Sequence, residues 1–121
     1  MANTFKTVTF AAEPTSSGTP YLMYTTAGST TTVVLGLILT NIHTTAVTVN
    51  VQLVSDTANR NGSNNVANGT SLLVKDVTIP SGSSLEILTG SKVVLETGDK
   101  IQIDCSVADK LSGTLSIMEI T

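Results

Sequence analysis

Apolar and polar side chains alternate along this chain with a period of two, and the alternation is cleanest in two stretches. Val47, Val49, Val51 and Leu53 alternate with Thr48, Asn50 and Gln52, while Ile101, Ile103, Cys105 and Val107 alternate with Gln102, Asp104 and Ser106. Successive side chains of a strand point to opposite faces, so this pattern predicts strands with one face buried and one face wet. Thr, Val and Ile dominate, and their branched β-carbons suit a pleated surface better than a helix. No segment sustains a 3.6-residue period.

Strands are expected over Thr4–Ala12, Tyr21–Thr26, Thr31–Ile42, Ala46–Ser55, Ser71–Ile79, Ser84–Leu88, Lys92–Glu96, Asp99–Val107 and Thr114–Ile120. Short strands between frequent turn signals mark an antiparallel sandwich or barrel. The expected fold is an all-β antiparallel β-sandwich, immunoglobulin-like or jelly-roll-like, in a single domain over residues 1–121. Pro80-Ser81-Gly82-Ser83 and Thr97-Gly98-Asp99 predict chain reversals, because proline presets a turn torsion and glycine supplies a positive one. The polar, glycine-rich stretch Asn59–Gly69 reads as one exposed loop at a sandwich end.

Two segments break the alternation. In Val33–Leu39 both faces are apolar, which fits a central strand covered on both sides or a strand whose outer face meets another subunit. In Leu72–Ile79 the apolar phase slips by one after Val74, as a β-bulge would produce. Pro14–Pro20 is a flexible connection by composition, so residues 1–20 read either as an ordinary first strand and long turn or as an N-terminal arm and linker. An arm could add to a neighbour's sheet edge through backbone hydrogen bonds.

Composition narrows the function. Charged residues make up 12% of the chain, about half the usual share. The four charges before residue 75 are Lys6, Glu13, Asp56 and Arg60. A neutral, Thr-rich surface either is hydrated by its hydroxyls and amides or lies against a partner. A net charge of −3, with six scattered basic residues and no Trp, leaves no phosphate-gripping cluster or stacking platform, so no nucleic acid is expected. The longest apolar run, Val33–Leu39, is far short of the roughly 20 residues of a membrane-spanning helix, so no membrane span is expected. The first residues lack the basic patch and apolar run of a secretory signal.

Candidate chemistry is sparse. His43 is the only histidine, at the end of one predicted strand, and Cys105 the only cysteine, on another; Cys105 alternates with Ile101, Ile103 and Val107 as a small buried apolar residue. Zinc would need several such ligands at short spacing, and Asp99, Asp104 and Asp109 are scattered by alternating faces. Asn61-Gly62-Ser63 and Asn68-Gly69-Thr70 match a glycosylation pattern but read as turns. No catalytic residue, metal site or cofactor is expected, and the chain is not expected to be an enzyme.

From about Thr30 to the C-terminus, five stretches carry a family likeness: Thr32–Asn41, Val47–Val54, Leu73–Leu85, Lys92–Ile101 and Leu115–Ile120. In their order the chain resembles small virion structural proteins of tailed bacteriophages, of the marine and cyanobacterial phage type. The resemblance implies an immunoglobulin-type sandwich on the capsid, neck or tail, with a structural role and no cofactor.

The leading expectation is a capsid decoration protein that binds the head lattice and stabilises it, made in the host cytoplasm and placed on the capsid surface. Its partners would be the major capsid protein or other virion proteins and further copies of itself; lattice symmetry suggests a trimer. Candidate assembly contacts are Phe5, Val8, Phe10 and the outer face of Val34 and Ile38. The alternatives are a neck, tail or fibre component, or a host-surface binding module that would use Arg60, Asn61, Asn64 and Asn65 of the exposed loop.

Overall fold

The computed structural model describes residues 2–55, 69–88 and 92–121. The expected recognition loop, with Arg60, Asn61, Asn64 and Asn65, lies outside the described residues. The strands are β1 (Asn3–Glu13), β2 (Tyr21–Thr25), β3 (Thr31–Asn41), β4 (Val47–Val54), β5 (Thr70–Ile79), β6 (Ser84–Ile87), β7 (Val93–Leu95), β8 (Lys100–Cys105) and β9 (Leu111–Ile120).

The pairing is nested. β1 pairs with β9, β2 with β8, β3 with β6 and β7, and β4 with β5, all antiparallel. One long antiparallel ribbon is thus folded over and rolled into two sheets, ordered β1-β9-β3-β6, with β7 also on β3, and β2-β8-β4-β5. This nested order is a jelly roll, so of the two expected sandwich types the chain takes the jelly-roll one rather than the immunoglobulin order. Between the sheets lies one apolar core that includes Leu37, Leu39, Val49, Val51, Ile101, Ile103, Leu115 and Ile117.

The apolar run in β3 has a local explanation. Val34 faces Ile117 and Gly36 faces Ser116, so Leu35 is an extra residue in a β-bulge. The bulge moves the inward set from Thr32 and Val34 to Leu37, Leu39 and Asn41, all of them buried, and a one-residue shift of this kind exchanges the two faces. The phase slip expected after Val74 is also a bulge: Val49 faces Val77 while Val51 faces Val74. Asp76 takes a φ of 50° there, and its N–H donates to Asn50 Oδ1 at 2.8 Å.

Turns form where glycine allows them. Gly82 has a φ of 73° in the turn closed by Ser83 N–H on the Pro80 carbonyl. Gly98 has a φ of 89° in the turn closed by Asp99 N–H on the Glu96 carbonyl. Asp99 is buried, and its carboxylate accepts the Glu96 N–H at 3.0 Å.

Asn41 organises the far end of β3. It is buried; its Nδ2 donates to the Ile79 and Thr45 carbonyls at 2.9 and 3.0 Å, and its Oδ1 accepts the His43 N–H at 2.7 Å. One amide therefore ties the β3–β4 turn to the end of β5, in the other sheet.

Candidate assembly surface

Residues directly opposite one another in a sheet share a face, so the register defines what each sheet shows to the outside. On the five-stranded sheet, Phe5 lies opposite Met118, Met118 opposite Val33, and Val33 opposite Val94. Val33 sits between the fully buried Thr32 and Val34, so this face is the outer one. An apolar row therefore crosses β1, β9, β3 and β7 on the outside of the molecule, with Phe5 71% and Val94 56% exposed.

The neighbouring outer rows are Asn3, Ile120 and Thr31; then Thr7, Ser116 and Gly36; then Thr9, Thr114, Ile38 and Glu86; then Ser112, Thr40 and Ser84. Glu86 is the one ionisable side chain in these rows. The face is apolar at the end that carries Phe5 and covered by hydroxyls at the other. Away from Glu86, these rows can be covered without stripping water from ions, which is the principal cost of covering a charged face.

The five expected contact residues divide on this frame. Phe5 and Ile38 are on the outer face, with Ile38 42% exposed. Val8 is half-buried and packs against the core. Phe10 and Val34 are corrected to core positions: Val34 precedes the bulge and points inward, and Phe10 pairs with Gly113, whose missing side chain leaves room for its ring. The Phe10 ring lies 5.1 Å from that of Tyr21 and closes the gap between the sheets.

Sequence reasoning missed Met118, Val33 and Val94. Their signal was an apolar residue at each position that the strand alternation assigns to the wet face. The outer face of the other sheet is different: Leu22 and Leu72 flank Gln102 and Gln52, and Gln52 Nε2 donates to Gln102 Oε1 at 2.5 Å.

A polar clasp stands at the end of the sandwich near the apolar row. The Tyr24 hydroxyl donates to Glu119 Oε2 at 2.6 Å and lies 2.7 Å from Thr32 Oγ1, while Lys6 Nζ pairs with Glu119 Oε1 at 2.7 Å. Burial, and then the hydrogen bond to Glu119, push the Tyr24 phenol up to about 12. Lys6 and then Tyr24 hold the Glu119 carboxyl below its usual range. Burial raises the Cys105 thiol, in keeping with an inward apolar role on β8. His43 stands apart from it in the β3–β4 turn. Among the described residues no group of three or more His, Cys, Asp or Glu side chains could hold a metal ion, and no helix is long and apolar enough to cross a membrane.

The fold and this face define a jelly-roll sandwich with a weakly charged, partly apolar outer sheet. No family model and no curated protein matches the sequence. Among solved structures, the chain is similar to one in the structure of infectious bursal disease virus, Gx strain, with 14% identity and a TM-score of 0.53, covering 98% of this chain and 33% of that one. It is similar to another in a T13 particle of the same virus, with 14% identity and a TM-score of 0.51, covering 97% of this chain and 30% of that one. A Bacillus endospore appendage described as a disulfide-linked pilus is 15% identical with a TM-score of 0.47, covering 99% of this chain and 87% of that one. The chain thus spans about a third of the two virus chains, and the likeness is one of fold.

Proposed function

We propose that this chain is a virion structural protein and, within that class, a capsid decoration protein of a tailed bacteriophage that seats the outer face of its five-stranded sheet on the head lattice. The observation that carries the reading is the row Phe5, Met118, Val33 and Val94 on a face whose aligned rows hold one ionisable side chain. The fold likeness to chains of virus structures supports it, as does the resemblance of five stretches of the sequence to phage virion proteins.

The mechanism is mechanical, with no catalytic step and no cofactor. Each subunit covers its apolar row against capsid protein and bridges neighbouring capsid subunits, and many weak copies on one lattice hold collectively. The protein is made in the host cytoplasm and resides on the capsid surface. A neck, tail or fibre component would share this chemistry and differ in number. Quantitative mass spectrometry of purified particles tests the placement: decoration requires on the order of hundreds of copies per particle, and a dozen or fewer would move the protein to the neck or tail. Absence from particles would end the reading.

A further inference from the structure

Among the described residues β1 pairs with β9 alone, and its other edge is an unused pairing surface. Ala2 and Thr121 exchange both backbone hydrogen bonds, at 3.1 and 3.0 Å, which fixes the alternation along the pair. Thr4, Lys6, Val8 and Phe10 bond to β9, and the N–H and C=O groups of Asn3, Phe5, Thr7 and Thr9 point away from it. Within the described residues these outward groups have no hydrogen-bond partner. Side chains from Asn3 to Thr7 are exposed on both faces of the strand, and the four-stranded sheet meets β1 at Phe10 and Tyr21. A long exposed edge of this kind is a template for another strand.

We infer that this edge pairs antiparallel with β1 of a second copy of the chain, about a two-fold axis through Phe5, so that the two five-stranded sheets become one continuous sheet. Three features select a second copy. The outward-facing residues are self-complementary: with Phe5 on the axis, Asn3 meets Thr7 of the second copy and about six interchain hydrogen bonds form. The axis keeps both outer faces on the same side, so the apolar row runs unbroken through both copies, from Val94 to Phe5 and on to the second copy's Val94. This register also sets Lys6 opposite Thr4 of the second copy, whereas an axis through Lys6 would oppose two like charges.

The pairing is separable from attachment to particles, since it is read in solution on the full-length chain. Sedimentation of the wild type should show a monomer–dimer equilibrium. Among the described residues the Thr7 N–H serves no bond, so Thr7→Pro should keep the native circular dichroism and remain monomeric. In the proposed pair the two Phe5 Cα atoms lie about 5.5 Å apart, within disulfide reach. Two Thr7 residues would be about 13 Å apart along the strands. Under mild oxidation Phe5→Cys should therefore give a covalent dimer at least tenfold faster than Thr7→Cys, and the wild type, with only the buried Cys105, should give none. Equal crosslinking of the two variants overturns the inference, as does a folded Thr7→Pro that still dimerises. A wild type monomeric to high micromolar concentration with no preferred crosslink also overturns it, and leaves the edge to a strand from another protein. If Thr7→Pro fails to fold, the two cysteine variants decide.

Discussion

Tyr24 and Glu119 belong to different sheets, and the phenol of one donates to the carboxylate of the other at 2.6 Å. Because the single phenolic proton is committed to Glu119, Thr32 donates the second bond, and Lys6 completes the carboxylate's pairing. The clasp fastens β2 to β9 and draws in the exposed half of β1. Tyr24→Phe removes the shared hydroxyl without opening a cavity, and about 1–2 kcal/mol of stability should be lost. Urea unfolding at neutral pH reads this directly; a midpoint equal to that of the wild type would mean that the clasp adds nothing net.

The same clasp gives the pH dependence a sign. The folded Glu119 carboxyl titrates below its ordinary value, so its contribution is complete above the unfolded value of about 4.3 and disappears as pH falls through the folded one. The folded Tyr24 phenol titrates at about 12. Its contribution is complete below the unfolded value of about 10 and is lost as pH rises from there toward 12. Stability measured across pH should lose part of its acid limb in Glu119→Gln and part of its alkaline limb in Tyr24→Phe.

A β-carbon at position 113 would collide with the Phe10 ring. Gly113→Ala should cost roughly 1–3 kcal/mol through overpacking. Combined with Phe10→Ala, the added methyl finds space, so the double variant should be more stable than the sum of the two losses implies. Additive losses in a double-mutant cycle would show that the ring does not depend on this glycine.

Asn41→Ala strips three hydrogen bonds from a buried position, two donated and one accepted. The Ile79 carbonyl would be left buried without this partner, and a loss of about 2–4 kcal/mol is expected. Thermal unfolding is a sufficient readout, and a loss under 1 kcal/mol would show that water replaces the amide.

Much of the architecture is legible in the sequence, because strand alternation and turn chemistry are local. Val47–Leu53 and Ile101–Cys105 could only be half-buried strands, and Gly82 and Gly98 mark the turns where they are found. The bulge near Lys75 shows in the sequence because a polar pair interrupts an apolar phase. The bulge at Leu35 does not, because Val33 to Leu39 are apolar on both sides of the slip, so the local pattern puts Val34 on the wrong face. The local pattern misplaces Phe10 for a different reason: its burial depends on Gly113, about a hundred residues away, and cross-strand register of that range is not written in local pattern. The outer apolar row is hidden in the same way, since Phe5, Met118, Val33 and Val94 come together only through the pairing of four strands.

On the proposed function, the outer face of the five-stranded sheet is the surface a particle would cover. The most direct test is the number of copies retained per purified particle for Val94→Lys. Val94 lies at the far side of that face from β1, and lysine there can reach water without disturbing the core. Leu22→Lys is the control, placing the same charge on an exposed residue of the other sheet. The account predicts that Val94→Lys folds normally yet loses at least tenfold of its copies while Leu22→Lys stays at the wild-type number; full retention of Val94→Lys, or detachment of Leu22→Lys instead, would contradict it.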